Sequence, residues 1–129
     1  MMVEGLSRRR ILVAEDDALL AETVVDALEG EGFQVTLATD GLEALEAAGS
    51  REFDALLTDI MMPRMDGMTL IRRVRAAMPR LPVVVMTGHA PANLETIVQR
   101  CDEGPLITLR KPMSLRLLIQ SLSKILAPN

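Results

Sequence analysis

The sequence predicts an α/β fold: a doubly wound parallel sheet of five strands with five helices covering its two faces. Short, mainly apolar runs of strand length alternate with segments in which apolar residues recur at helical spacing. The apolar runs do not alternate with polar residues, as expected when both faces of a sheet are buried. Five strand–helix units in series give parallel strands joined by right-handed crossovers.

Five short apolar runs are the predicted strands. They cover residues 11–14, 33–38, 55–58, 83–86 and 106–109. The first runs directly into an acidic cluster, and the third leads into Asp59. The fourth is wholly apolar and rich in β-branched residues, which favour strands. The fifth run has a weaker strand pattern than the other four.

Five segments show the apolar spacing of helices. The first follows Asp17, its best N-cap candidate, and ends near residues 30–32, where glycine suits a helix C-terminus. The second covers residues 41–48, with Leu42 predicted to face inward, and the third covers residues 69–78. The apolar positions of the last two helices are Leu94, Ile97, Val98 and Cys101 in the fourth, and Leu115, Leu118, Ile119, Leu122 and Ile125 in the fifth.

Length and composition limit the classes of function. The 129 residues, 49% of them apolar, suit one domain with a continuous core. A formal net charge of -4 gives no reason to expect direct binding of nucleic acid by bulk charge. The single cysteine excludes an intrachain disulfide and fits a reducing, cytoplasmic setting. No apolar run approaches the ~20 residues that span a bilayer, so no membrane insertion is expected.

Polar residues follow four of the predicted strands. They are Glu15, Asp16 and Asp17 after the first strand, Asp59 after the third, Thr87 and Gly88 after the fourth, and Arg110, Lys111 and Pro112 after the fifth. In an open parallel sheet, ligands bind outside the carboxyl ends of the strands. The sequence therefore predicts that carboxylates, a hydroxyl and an ammonium from distant segments meet on one edge of the sheet.

Crowded carboxylates repel one another, and a cation relieves that repulsion. An all-oxygen ligand set without His or Cys suits Mg²⁺ rather than Zn²⁺, and Mg²⁺ often binds phosphate as well. A phosphoryl group on a nucleophilic Asp59 would add roughly two negative charges. Mg²⁺ and Lys111 would neutralise that charge, and the Thr87 hydroxyl would donate to a phosphoryl oxygen. The pattern predicts phosphoryl transfer by positioning and charge stabilisation.

Each of these residues also has a purely structural interpretation. The three acids after the first strand could cap the following helix, and Asp59 could start a turn. Thr87 could donate to the backbone at a strand end, and Lys111 could be solvated. The functional hypothesis depends on all the sets lying at strand ends, on the same edge, with complementary chemistry.

Four segments resemble the receiver domains of two-component response regulators. They are residues 11–17, 56–67, 85–88 and 110–112, and the resemblance extends over about residues 10–126. It implies a flavodoxin-like sheet with strand order 2-1-3-4-5. On this basis residues 10–127 are expected to form the receiver domain, and residues 1–9 a flexible N-terminal tail.

The resemblance implies a role for each residue of the predicted cluster. The implied roles are Asp59 as phosphoacceptor, Asp16 as direct Mg²⁺ ligand, Glu15 as its companion, which often acts through water, the Met61 backbone carbonyl as a third protein ligand, Thr87 as the switch hydroxyl and Lys111 as the lysine that pairs with the phosphoryl group. A cis Lys111–Pro112 bond is also implied.

One position departs from the family's pattern. Three residues before Lys111, relatives commonly carry Tyr or Phe, whose ring swings inward on activation, whereas this chain has Thr108. The coupled Thr–aromatic switch therefore cannot operate in its usual form. Residues 100–105 also lack the usual small-residue pattern. The resemblance is weakest on the output face, which the fourth helix, the fifth strand and the last helix form in the family.

The leading hypothesis is a phosphorylation-controlled signalling module rather than an enzyme, one that assists its own phosphorylation and dephosphorylation. A histidine kinase or histidine phosphotransfer protein would donate the phosphoryl group in a Mg²⁺-dependent step. The output is expected to be contact with a downstream protein, since no DNA-binding segment follows the last helix. A basic face of Arg72, Arg73 and Arg75 is one candidate contact surface.

Three alternatives stay open at this point. The chain could be a phosphorylation-independent interaction module, which Thr108 favours slightly and the intact acid cluster opposes. It could be the receiver segment of a hybrid histidine kinase. It could also be a small α/β enzyme or a flavin carrier, but the first strand runs into acids rather than a glycine-rich phosphate loop, and the chain has no Trp or Tyr to stack on a flavin.

Overall fold

The computed structural model describes residues 9–88 and 104–127, which contain five strands and four helices. Their bounds, in chain order, are β1 Arg10–Ala14, α1 Ala18–Gly30, β2 Gln34–Ala38, α2 Gly41–Ser50, β3 Ala55–Asp59, α3 Gly67–Ala77, β4 Val83–Thr87, β5 Leu106–Arg110 and α4 Leu115–Leu126. The fourth predicted helix, with Cys101, and most of the predicted N-terminal tail lie outside the described residues. No helix in the described ranges is long and apolar enough to cross a membrane.

The five strands form one parallel sheet in the order β2-β1-β3-β4-β5, which confirms the predicted topology. The register brings the ends of neighbouring strands level with one another. Ala14 pairs with Thr58, Asp59 with Met86, and Thr87 with Arg110. The residues that follow the strands therefore emerge side by side on one edge of the sheet.

Two apolar clusters lie on opposite faces of the sheet, and alternate strand residues supply them. Leu12 and Leu56 belong to the cluster beneath α2 and α3, whereas Val13 and Leu57 belong to the cluster beneath α1 and α4. All four side chains are buried. Burial on both faces explains why the central strands β1, β3 and β4 read as nearly continuous apolar runs.

Each described helix starts at a side chain that accepts hydrogen bonds from its first turn. The caps are Asp17 for α1, Asp40 for α2, Asp66 for α3 and Ser114 for α4. Asp17 accepts from Leu19 N at 3.1 Å and Leu20 N at 3.2 Å, as predicted. Such caps satisfy backbone donors that have no partner within the helix.

Two expectations about side-chain direction are wrong. Leu42 is 40% exposed, and Gly41 and Ala44 are the buried positions of α2 instead. The helix starts so close to the backbone of Met65 that a Cβ added at Gly41 would overlap the Met65 carbonyl oxygen. The smallest residues therefore face the neighbouring loop, and Leu42 is rotated toward solvent.

The second wrong expectation concerns the predicted basic face on α3. Arg72 and Arg73 are exposed, but Arg75 is buried, and its guanidinium donates to the carbonyl oxygens of Leu81 and Pro105. Arg75 lies four positions after Ile71 and therefore falls on the buried stripe of the helix. It ties the end of α3 to the strands that follow it rather than offering a contact surface.

Candidate functional site

The four predicted segments meet at the carboxyl edge of the sheet. Glu15 extends β1, and its amide donates to Ala38 O at 3.0 Å. Asp59 is the last residue of β3, and Thr87 is the last residue of β4. The Lys111 amide donates to Thr87 O at 2.8 Å, which fixes the residue after β5 beside the end of β4. The Lys111–Pro112 bond is cis.

The Lys111 ammonium links two of the acids. Nζ lies 2.7 Å from Asp59 Oδ2 and 2.9 Å from Glu15 Oε1. Glu15 and Asp59 are buried, while the Lys111 side chain keeps 22% of its surface exposed. The alternative of a solvated Lys111 is thus excluded, because this ammonium contacts two buried carboxylates.

Backbone amides hold the remaining oxygens of these acids. The Asp17 amide donates to Glu15 Oε2 at 3.0 Å, and the Met61 amide donates to Asp59 Oδ1 at 3.2 Å. Both oxygens of Glu15 and both oxygens of Asp59 are therefore held by hydrogen bonds within the protein. The contact from Met61 places the backbone of the β3–α3 loop beside Asp59.

Burial and charge shift two of the pKa values at this edge. Burial raises the pKa of Glu15, although hydrogen bonds from Lys111 and the Asp17 amide oppose the shift. Burial by itself would lower the pKa of Lys111, but its hydrogen bonds to Asp59 and Glu15 and their negative charges together raise it. Lys111 is therefore a firmly protonated cation placed between carboxylates.

Carboxylate oxygens of Glu15, Asp16 and Asp59 all lie within 4.8 Å of one another. Asp16 is exposed, whereas the other two are buried. Three hard oxygen donors at this edge of the sheet suit Mg²⁺, which prefers oxygen ligands and keeps several waters. The residues present therefore fit the metal that the composition of the cluster predicts.

The Thr87 hydroxyl is buried, with the residue only 2% exposed, and Oγ1 has no hydrogen-bond partner among the described residues. The backbone bond considered for it from the sequence is absent there. Thr58, at the end of the neighbouring strand, does make such a bond, from Oγ1 to Asp59 O at 2.8 Å. A buried hydroxyl without an acceptor is uncommon in native proteins and points to a ligand atom that it would serve.

Sequence reasoning missed two features around Asp59. Gly67 starts α3 and packs so tightly that a Cβ there would overlap the Asp59 carbonyl oxygen. Arg64, which has a positive φ of 67°, forms an ion pair with Asp40 at 2.7 Å. The first could have been found from the Asp–Gly pair read as cap and first helical residue. The second has no local signal, because 24 positions separate the partners.

Comparisons with known proteins agree with this geometry. The family model described as the response regulator receiver domain matches residues 11–123. The response regulator MprA of Mycobacterium ulcerans is 38% identical over 117 residues, which cover 91% of this chain and 50% of MprA. The transcriptional regulatory protein ZraR of Escherichia coli O157:H7 is 37% identical over 117 residues, covering 91% of this chain and 26% of ZraR. The chain thus spans half or less of these two relatives.

A solved structure adds a metal to the comparison. The receiver domain of the sensor histidine kinase PA1611 from Pseudomonas aeruginosa PAO1 is 28% identical to this chain, with a TM-score of 0.80. The alignment covers 92% of this chain and 98% of that one. That structure has a magnesium ion coordinated in its active-site cleft. Because the family model covers most of the sequence and the fold matches, this chain belongs to the response regulator receiver domain family of two-component systems.

Proposed function

We propose that this chain accepts a phosphoryl group on Asp59 from a histidine kinase or histidine phosphotransfer protein in a Mg²⁺-dependent step. The observation that carries the proposal is the ammonium of Lys111, which contacts Asp59 and Glu15. The Thr87 hydroxyl, at the end of the neighbouring strand β4, has no hydrogen-bond partner within the described part of the chain. A carboxylate that is about to gain negative charge needs a fixed cation and a free donor, and both are present.

In the proposed step an oxygen of the Asp59 carboxylate attacks phosphorus. The bond from phosphorus to the imidazole nitrogen of the donor histidine breaks, and the imidazole leaves with the bonding electron pair and takes up a proton. The product is an acyl phosphate, whose phosphoryl group carries roughly two negative charges in place of the single charge of the carboxylate. Lys111 stabilises that charge at short range, and Thr87 Oγ1 donates to a phosphoryl oxygen.

Mg²⁺ would be held by the Asp16 and Asp59 carboxylates and the Met61 carbonyl, with Glu15 as companion. When bound, the metal neutralises charge on the transferring phosphoryl group and orients its oxygens. The close approach of the Glu15, Asp16 and Asp59 oxygens supports this ligand set. The Met61 amide, which donates to Asp59, supports the placement of its backbone at the site.

We further propose that residues 10–127 form the receiver domain, that residues 1–9 are a tail outside it, and that the output is contact with a downstream protein. The chemistry at Asp59 would be the same in a response regulator and in the receiver segment of a hybrid kinase. The relatives include both settings, since MprA is a response regulator and PA1611 a sensor histidine kinase.

Acetyl phosphate tests the proposal without a partner protein. The purified chain is incubated with acetyl phosphate and Mg²⁺, with EDTA in a parallel sample, and its intact mass is measured. We expect a gain of one phosphoryl group that requires Mg²⁺ and is lost in Asp59→Asn. Asp26→Asn, an exposed position on α1, is the matched control and should label like the parent.

A phosphorylation-independent interaction module is the second candidate. Thr108, partly buried in β5 and paired with Val85, favours it because the usual aromatic switch residue is missing there. No adduct in the parent chain, with acetyl phosphate or with a cognate kinase, would overturn the first proposal in favour of this one.

A further inference from the structure

The loop between β3 and α3, residues 60–66, connects Asp59 to the rest of the candidate site. The Met61 amide donates to Asp59 Oδ1 at 3.2 Å, and the Gly67 amide closes the loop by donating to Ile60 O at 2.8 Å. Contacts that fix the conformation of this loop therefore also fix the position of the Met61 backbone beside the Asp59 carboxylate.

One side chain ties this loop to a different helix. Arg64 donates from Nε at 2.9 Å and from Nη2 at 2.7 Å to the same oxygen of Asp40, Oδ2. The other oxygen of Asp40, Oδ1, accepts from the Glu43 amide at 2.8 Å and caps α2. Among residues 9–88 and 104–127, the other hydrogen bonds of the loop stay within residues 59–70. The bonds from Arg64 to Asp40 are therefore the link between the loop and a distant segment.

The backbone at Arg64 indicates that the link constrains the loop. Its φ of 67° is the only positive value at a non-glycine residue in the described ranges. A left-handed conformation is unfavourable for a residue with a Cβ and persists where surrounding contacts enforce it. The ion pair with Asp40 and the tight packing of Gly41 against the Met65 carbonyl are the contacts that hold this stretch against α2.

We propose that Arg64 is a positioning residue of the phosphoacceptor site, which acts through the ion pair with Asp40 to hold the 60–66 loop in the shape that presents the Met61 backbone to Asp59 and Mg²⁺. The inference rests on the proposed function, because it assigns a role toward the same metal and the same carboxylate. Arg64 contacts neither of them itself.

The ion pair is solvent-exposed on the arginine side, where 57% of the side chain is accessible. Exposed pairs contribute little to global stability. Loss of this pair should therefore change the loop and the metal affinity more than the melting temperature, which separates positioning from a general structural role.

The test compares Arg64→Gln, Asp40→Asn, the double variant and Arg64→Lys with the parent. Asparagine still caps a helix, so Asp40→Asn removes the charge and leaves the cap. Arg51→Gln, at an exposed position after α2, is the control. Magnesium affinity is measured by calorimetry, and hydrogen–deuterium exchange of residues 60–67 is measured in EDTA.

We expect Arg64→Gln and Asp40→Asn each to weaken Mg²⁺ binding roughly two- to fivefold, the size of one exposed ion pair. The double variant should be no weaker than either single one, because both remove the same contact. In EDTA, hydrogen–deuterium exchange of residues 60–67 should be faster in the single variants than in the parent. Arg64→Lys should bind Mg²⁺ more tightly than Arg64→Gln does.

Parent-like affinity and exchange in both single variants, or additive losses in the double, would overturn the role of Arg64 while leaving the proposed function intact. If the parent chain itself neither binds Mg²⁺ nor accepts a phosphoryl group, both proposals fail together. Weakened binding in Arg51→Gln of the same size would also overturn the inference, because the effect would then be one of overall charge.

Discussion

The Lys111 ammonium lies 2.7 Å from Asp59 Oδ2, although 52 positions separate the two residues. The contact depends on the parallel order of β3, β4 and β5, which brings the ends of these strands together. The same ammonium contacts the buried Glu15, so two carboxylates share one positive charge before any phosphoryl group arrives.

Removing the Lys111 ammonium should destabilise the metal-free protein. Lys111→Met leaves Glu15 and Asp59 without their cation, and we expect a loss of ~1–3 kcal/mol in the free energy of unfolding. The raised pKa of Glu15 limits the loss, since this acid can take up a proton instead. Urea denaturation in EDTA measures the free energy of unfolding of Lys111→Met. Lys124→Met, on the exposed side of α4, is the control. Equal midpoints for the two variants would refute the prediction.

Thr87→Val should leave the metal-free stability unchanged or raise it slightly. The hydroxyl has no partner among the described residues, so its removal forfeits no hydrogen bond. Thr58→Val is the matched comparison, because Thr58 Oγ1 donates to Asp59 O at 2.8 Å, and it should lose about 1 kcal/mol. Thermal melts of both variants in EDTA provide the measurement. A clear loss in Thr87→Val would mean that the hydroxyl already has a partner.

Glycine replacements at two helix positions should have opposite effects. Gly67→Ala places a Cβ against the Asp59 carbonyl oxygen, so we expect a loss of more than ~2 kcal/mol together with weaker Mg²⁺ binding. Gly49→Ala meets nothing within 4 Å and should stabilise α2 by ~0.5–1 kcal/mol. Urea midpoints and magnesium titrations measure both, and a stabilising Gly67→Ala would contradict the packing described for the β3–α3 loop.

Asp40 should make a pH-dependent contribution to stability. Its pKa lies below the ordinary value of 3.8, first because of the hydrogen bond from the Glu43 amide and also because of Arg64, although partial burial acts in the opposite direction. A lowered pKa means that the stabilisation is complete above the unfolded value and is lost as the pH falls through the folded one. The free energy of unfolding of the parent should exceed that of Asp40→Asn by a constant amount near neutral pH. This difference should shrink below about pH 4. Urea midpoints between pH 7 and pH 3 test this, and a difference that grows on acidification would contradict it.

The central strands β1, β3 and β4 could be predicted closely because they are buried on both faces, which leaves a nearly unbroken apolar run in the sequence for each of them. The strand-end residues could be placed together for the same reason, since parallel strands all present their carboxyl ends at one edge. Glu15, Asp59 and Lys111 therefore meet as expected.

What could not be predicted depends on packing between neighbouring elements. Leu42 faces solvent because α2 approaches the Met65 backbone through Gly41, and no periodicity in α2 reports that approach. Arg75 is buried because carbonyl oxygens from two other segments accept from it. The partner of Arg64 lies in another helix cap, so a local pattern of charge could not identify it.

The position of the acyl phosphate is the most direct test of the account. Borohydride reduces an acyl phosphate to the alcohol, so a phosphorylated aspartate becomes homoserine and can be located by tandem mass spectrometry. After incubation with acetyl phosphate and Mg²⁺, we expect homoserine in place of Asp59 and at no other aspartate, and none in the EDTA sample. Homoserine at Asp16, at Asp17 or at any other position in place of Asp59 would contradict the central claim.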